Sequence, residues 1–192
     1  MSEMLGLTFH PLTLEHWPDF ERLFGPRGAC AGCWCMWWKL SNKDMEALKG
    51  EGTRQAQKEI VECGSAPGLL AYAKDQAVGW CAVEPRHAYP RLARSRVLKP
   101  IDGAEVWSIT CFFVDKKYRH QGVTIQLLRA AIDYVSARGG QVVEGYPTEP
   151  RESRVPAAFV YTGLASAFRR AGFEEVARRS ETRPIFRYFI QT

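Results

Sequence analysis

The chain has 192 residues, 46% hydrophobic and 24% charged, with a formal net charge of +5; it can bury one good core, and no run approaches the ~20 apolar residues needed to cross a bilayer. The amino-terminal stretch contains Glu3 and no basic-then-apolar order, so it does not read as a secretion signal, and a cytoplasmic location is expected. The arginines are dispersed rather than gathered in a stripe, which argues against a nucleic-acid binder and leaves a solvated basic surface or an anionic ligand.

In chain order, Leu7 to Leu12 alternates as a strand does, and the next segment sets Leu14, Trp17, Phe20, Leu23 and Phe24 on one helical face, with Thr13 as cap. Asp44 to Cys63 reads as a polar helix interrupted by glycines at 50 and 52. The runs LLAYAK and AVGWCAVEP form a hairpin signal about an Asp75-Gln76 turn. Residues 85 to 103 carry prolines and basic side chains without a period and predict a loop with one helical turn. Glu105 to Val114 has the β-branched and aromatic composition of a central strand. Ile125, Leu128, Ile132 and Val135 then share one stripe that stops at Gly139-Gly140, which predicts a helix. QVVEGYP is a short strand closed by Pro147, TGLASAFRRAGF a helix ended by Gly172, and EEVARRS and PIFRYFI two final strands. With no repeat or linker, the pattern predicts one α/β domain on a mixed sheet.

Six cysteines stand at 30, 33, 35, 63, 81 and 111, a pattern unlike a disulfide framework, so reduced thiols are expected. Cys30, Cys33 and Cys35 have C-x-x-C-x-C spacing without the second ligand pair that makes a zinc site, so no metal is expected. Packing of these small thiols with Trp34, Trp37 and Trp38 is the expectation instead. His10 and His16 read as core or helix-end residues.

The most specific stretch is KYRHQGVTIQLL, residues 117 to 128. A strand running through this segment into a helix aims unpaired N–H groups at one point, where the positive end of the helix dipole also lies. Gly122 lets the backbone approach a bulky anion, Arg119 adds a charge that does not titrate, and His120 lines the loop.

With these elements in this order, the chain resembles the GNAT superfamily of N-acetyltransferases. There a strand leads into a loop of pattern Q/R-x-x-G-x-G/A, whose amides bind the pyrophosphate of acetyl-coenzyme A. Here the loop reads Arg119-His120-Gln121-Gly122-Val123-Thr124, with Val114 and Tyr118 at the family's spacing before it; VVEGYP resembles the fifth strand and LASAFRRAGFEEV the helix and Gly-Phe turn that follow. The resemblance implies an acyl-CoA N-acyltransferase fold on a mixed sheet of about six to seven strands with flanking helices. It implies one domain over residues 1–192, with acceptor-side helices in 1–103 and the acetyl-CoA-binding half in 104–192.

The resemblance also implies that the strand before the loop and VVEGYP splay apart around the pantetheine arm, which main-chain groups of Phe113 and Val114 would pair. There are two departures. Thr124 replaces the usual small residue, where its hydroxyl is expected to meet a phosphate oxygen. Phe168, beside the cofactor, takes the place of a frequent tyrosine, so proton donation falls to Tyr161, Tyr146 or water.

The implied activity is acetyl transfer from acetyl-CoA to a primary amine by direct attack in a ternary complex. An amine with pKa near ~10.4 is rarely neutral at pH 7, a deficit of roughly 4–5 kcal/mol, so a base is expected. Glu144 is the first candidate, Glu105 the second and Glu84 the third. A catalytically weak CoA-binding sensor is the alternative. The acceptor stays open between small amine, aminoglycoside-like compound, amino acid, peptide N-terminus and protein lysine, although the tryptophan-rich segment suits an apolar or cationic amine. Edge strands near the carboxyl end are compatible with a homodimer, and neither nucleic acid nor membrane is expected as a partner.

Overall fold

The computed structural model describes residues 6–151 and 160–191. The first alternating run forms β1 (Leu7–Pro11), and the helical face after it forms α1 (Trp17–Phe24). This helix is shorter than its periodicity: Trp17, Phe20 and Phe24 are buried, while Leu14 stays 52% exposed outside it. The glycines split the next polar stretch into α2 (Asn42–Leu48) and α3 (Glu51–Glu62). The Ser41 hydroxyl caps α2, accepting from the Asp44 amide at 3.1 Å.

β2 (Gly68–Ala73) and β3 (Gln76–Pro85) make the expected hairpin, but its turn is Lys74-Asp75; Lys74 is left-handed at φ 54° and Gln76 already pairs with Ala73. The chain then leaves the sheet for an excursion holding the short helix α4 (Pro90–Arg94). It continues as β4 (Trp107–Val114), α5 (Val123–Ser136), β5 (Val142–Gly145), α6 (Ala165–Arg170), β6 (Glu174–Arg178) and β7 (Pro184–Phe189). The buried stripe of α5 is Val123, Leu127, Leu128, Ala131 and Val135, rotated from the expected one, so that Ile125 and Ile132 lie at its margin. No helix among the described residues is long and apolar enough to cross a membrane.

The seven strands form one mixed sheet in the order β1-β2-β3-β4-β5-β7-β6. β4 and β5 are parallel and every other neighbouring pair is antiparallel. One face carries Leu69, Cys81, Ile109, Phe112 and Val143 against α5 and α6; the other carries Leu70, Trp80 and Ala82 against α1 and the tryptophan-rich loop. Two irregularities of β4 build the site. Its pairing with β5 stops at Ile109–Gly145 although β4 runs on to Val114, which opens a notch between the strands. Ala82 pairs with Cys111 and Val83 with Ile109, which leaves Thr110 as the extra residue of a bulge.

Under the notch, Gly145 meets the fully buried ring of Phe168: a Cβ at 145 would come within 2.1 Å of Phe168 Cε1. Gly145→Ala is therefore expected to lose roughly 1–3 kcal/mol by overpacking. The check is a lowered thermal midpoint that Phe168→Leu partly restores in the double variant; an unchanged midpoint would refute the contact.

Candidate active site

The loop between β4 and α5 has the geometry of an anion cradle. His120 (φ 61°) and Gly122 (φ 79°) are both left-handed, and together they turn the loop's N–H groups to one side. No backbone hydrogen bond among the described residues engages the amides of Gln121, Gly122, Val123 or Thr124, whereas Ile125 and Gln126 already bond back to the Gly122 carbonyl. The first turn of α5 holds no acidic side chain, so nothing local neutralises the dipole's positive end. A Cβ built on Gly122 meets nothing within 4 Å; glycine is required here by the left-handed φ, and the space before it is open to a ligand. Four free amides round an open space fit a diphosphate. Arg119 braces the loop, its Nε donating to the Val114 carbonyl at 3.0 Å, and Gln121 Nε2 donates to the Lys117 carbonyl at 2.6 Å.

In the notch the strand's alternation decides which main-chain groups face a ligand. The Phe112 N–H donates to the Tyr161 carbonyl at 2.6 Å, while the Asp115 N–H donates to Val78 of β3 at 2.9 Å. Because successive residues point to opposite sides, Phe112 and Val114 face the notch and Phe113 faces β3. The expectation for Phe113 is corrected to Phe112, one residue earlier. Phe113 and Val114 are consecutive, so alternation alone keeps them from facing the notch together. Phe168 is also corrected: it is fully enclosed with Phe112, Phe173 and Phe186 and forms the floor beneath the notch, not a wall that a cofactor touches.

Glu144 is 1% exposed and both its oxygens are engaged. Oε1 accepts from Arg86 Nη1 at 2.6 Å and from the Tyr146 hydroxyl at 2.7 Å; Oε2 accepts from Arg187 Nε at 2.7 Å. Arg187 reaches on to Asp102 at 2.7 and 3.0 Å and holds that carboxyl down at about 2. A carboxylate with both oxygens bonded to guanidinium and phenol donors cannot collect a proton from a substrate, so Glu144 ties the excursion carrying Arg86 and Asp102 to the sheet. The hydroxyl of Tyr146 is enclosed by the same network, with Ser108 Oγ 2.8 Å away, so it is no donor to a ligand either. Glu105 is exposed and precedes β4, at the end of the strand away from the notch.

Glu84, the third candidate, lies beside the split. In-register pairs Glu84–Ser108, Ser108–Glu144 and Glu144–Arg187 set it on the same polar row of the sheet. It ion-pairs through Oε2 with Lys39, and both side chains are nearly closed from solvent. The other oxygen of Glu84 has no hydrogen bond among the described residues. Lys39 also stands over the Tyr89 ring, 5.0 Å from its centroid.

Tyr161, whose carbonyl caps the Phe112 amide, packs its side chain against the cluster of Trp38, Tyr89 and Leu92. Burial pushes its phenol pKa up, so the phenol stays protonated through neutral pH and can donate.

The cysteines and tryptophans form the wall opposite. Trp34 stacks with Phe24, and the Trp80 indole donates to Cys35 Sγ at 3.2 Å. Burial, followed by neighbouring Cys35, pushes Cys33 up to about 11. No group of residues able to hold a metal ion occurs among the described residues. Four non-glycine residues of this wall, Ala29, Ala31, Trp34 and Cys35, have positive φ, a concentration of backbone strain that no sequence pattern announced. A groove of about 1080 Å³ on the outer side of the wall, lined by Arg22, Arg27, Lys49 and Arg54, touches neither the loop nor the notch.

A family model described as "Acetyltransferase (GNAT) family" matches residues 34–161. No curated protein matches the chain. Among solved structures, an acetyltransferase of the GNAT family from Streptococcus agalactiae 2603 is similar over 100% of both chains, with TM-score 0.59 and 10% identity. An N-acetyltransferase from Staphylococcus aureus Mu50 covers 96% of this chain and 98% of its own, with TM-score 0.55 and 11% identity. The PaiA N-acetyltransferase from Thermoplasma acidophilum, in complex with coenzyme A, covers 96% and 99%, with TM-score 0.53 and 13% identity. At such identities the likeness shows a shared fold.

Proposed function

Because this chain belongs to the acetyltransferase (GNAT) family, we propose that it is an acetyl-CoA-dependent N-acetyltransferase acting on a primary amine by direct attack in a ternary complex. The observation that carries this reading is the set of free amides from Gln121 to Thr124 around the open space before Gly122. Acetyl-CoA supplies the acyl group as a thioester, and the cradle holds its diphosphate, with the Thr124 hydroxyl available to one phosphate oxygen. Val114 offers main-chain groups to the pantetheine arm. The Phe112 N–H, once released from the Tyr161 carbonyl, is the donor that polarises the thioester carbonyl. Residues 1–103 supply the acceptor side and 104–192 the donor side of one domain.

For the proton transfers, Glu84 is the base that relieves the attacking ammonium of its proton, and Tyr161 gives a proton to the departing thiolate. Supporting Glu84 are its free oxygen and its seat on the face away from α5; supporting Tyr161 are its protonated phenol and the place of its backbone carbonyl at the notch.

The test is turnover of acetyl-CoA with a panel of amines, followed by free thiol release. Amine-dependent release is the expected result; coenzyme A that binds but is never turned over would replace the enzyme with the sensor alternative. Glu84→Gln, combined with Lys39→Met so that no buried ammonium loses its partner, is expected to lower kcat roughly 10²-fold or more with CoA affinity retained. Parent-like kcat in that double variant would remove Glu84 from the mechanism.

A further inference from the structure

Neither the proton transfers nor the cradle uses Arg91, the second residue of α4. Its backbone N–H donates to the Trp38 carbonyl at 3.3 Å, its Nε donates to the Leu40 carbonyl, and its guanidinium lies over the Trp37 ring with Cζ 4.1 Å from the centroid. These contacts fix the fork in one plane. Its Nη2 is sealed from solvent and has no hydrogen-bond partner, and no carboxylate pairs with the guanidinium among the described residues.

An unpaired guanidinium donor closed off from water is costly, because the charge does not titrate away and the lost hydration is not replaced. Elsewhere on the same sheet face the chain answers buried arginines with carboxylates, as Arg86 and Arg187 show with Glu144. The surroundings of Arg91 repeat the deficit. Trp38 is 8% exposed, and its indole N–H has no partner. Trp38 belongs to the cluster against which Tyr161 packs. The carbonyl of Tyr161 in turn lies 2.6 Å from the Phe112 amide. The acceptor face thus has an end rich in unanswered donors at Arg91 and an end with a free carboxylate oxygen at Glu84.

We propose that Arg91 anchors a carboxylate of the acceptor, so that the acceptor is an amino acid, a small molecule carrying both a primary amine and a carboxylate. The inference rests on the acetyl-transfer reading above and names its substrate class. The planar fork meets the carboxylate through Nη2 once the acceptor parts the side chains that now seal it, the Trp38 indole adds a neutral donor, and the amine points toward Glu84. A plain amine or a polyamine leaves Arg91 unanswered and adds positive charge beside it.

The experiment is calorimetry on the chain saturated with coenzyme A, using L-amino acids, each beside its decarboxylated amine. In at least one pair the amino acid is expected to bind roughly 10- to 100-fold tighter than its amine, as a charge-assisted hydrogen bond requires. Arg91→Gln brings the two affinities together, and Arg91→Lys, which keeps the charge but not the fork, falls between. The heat of coenzyme A binding, measured on each variant, reports whether the fold has survived. Equal affinities within every pair, no binding of any amino acid, or an unchanged preference in Arg91→Gln overturns the carboxylate anchor and leaves acetyl transfer standing. Absence of coenzyme A binding by the parent chain overturns the acetyl-transfer reading, and this inference with it.

Discussion

Gly122→Asp is expected to weaken coenzyme A binding by about a thousandfold while moving the thermal midpoint little. Gly122 sits at φ 79° and ψ 6° with nothing within 4 Å of the place a Cβ would take. Aspartate is among the residues that tolerate this left-handed conformation, so the folded state loses little. Its carboxylate, however, projects into the space the diphosphate needs. Two like charges ~4 Å apart at an effective dielectric of about 20 repel by roughly 4 kcal/mol, close to three decades in affinity. Gly122→Ala, which adds strain and bulk but no charge, is expected to lose about tenfold. Calorimetry with coenzyme A separates the two, and an aspartate variant that binds like the parent would mean that the diphosphate lies elsewhere.

Glu144→Gln has its largest effect on stability. The carboxylate is 1% exposed between Arg86 and Arg187, and removing its charge leaves two guanidinium groups facing a neutral amide. Breaking a buried pair in this way costs ~3–5 kcal/mol, and for a chain of this size each kcal/mol lowers the midpoint by about 2–4 °C. A fall on the order of 10 °C is expected, with coenzyme A binding retained below the new midpoint. Mutating Arg86→Met as well should recover part of the loss, because Glu144 is its carboxylate partner among the described residues, whereas Arg187 keeps Asp102. A Glu144→Gln variant that melts like the parent but no longer turns over amines would restore Glu144 as the base.

The folded surroundings rank the carboxylates differently from the sequence for specific reasons. Glu144 stands in a short strand next to a glycine, and nothing in that pattern says that Arg86, 58 positions earlier, and Arg187, 43 later, will close on it. Glu84 ends a run that reads as core, and its proposed role as a base depends on the register that sets it opposite Ser108. The resemblance names Phe113 and Val114 together, but consecutive residues of a strand turn their main-chain groups to opposite sides, so only one of the two can face the notch. Lys39, Arg91 and Phe112 carried no motif at all; an arginine beside a proline in a basic loop gives no sign that one of its nitrogens will be sealed without a partner.

What the sequence determined by itself was local. The alternation of β1, the hairpin of β2 and β3, the apolar composition of β4, the glycine-broken helices and the loop at Gly122 each follow from neighbours within a few positions, through side-chain periodicity and the conformations open to glycine. The anion cradle belongs to that class, because a strand end, a left-handed residue and a helix start are contiguous. The order of the strands, the bulge, the notch and the pairing of every buried charge were decided only in three dimensions. A buried carboxylate is a base or a strut according to the charges that fold around it, and those come from segments far apart in the chain.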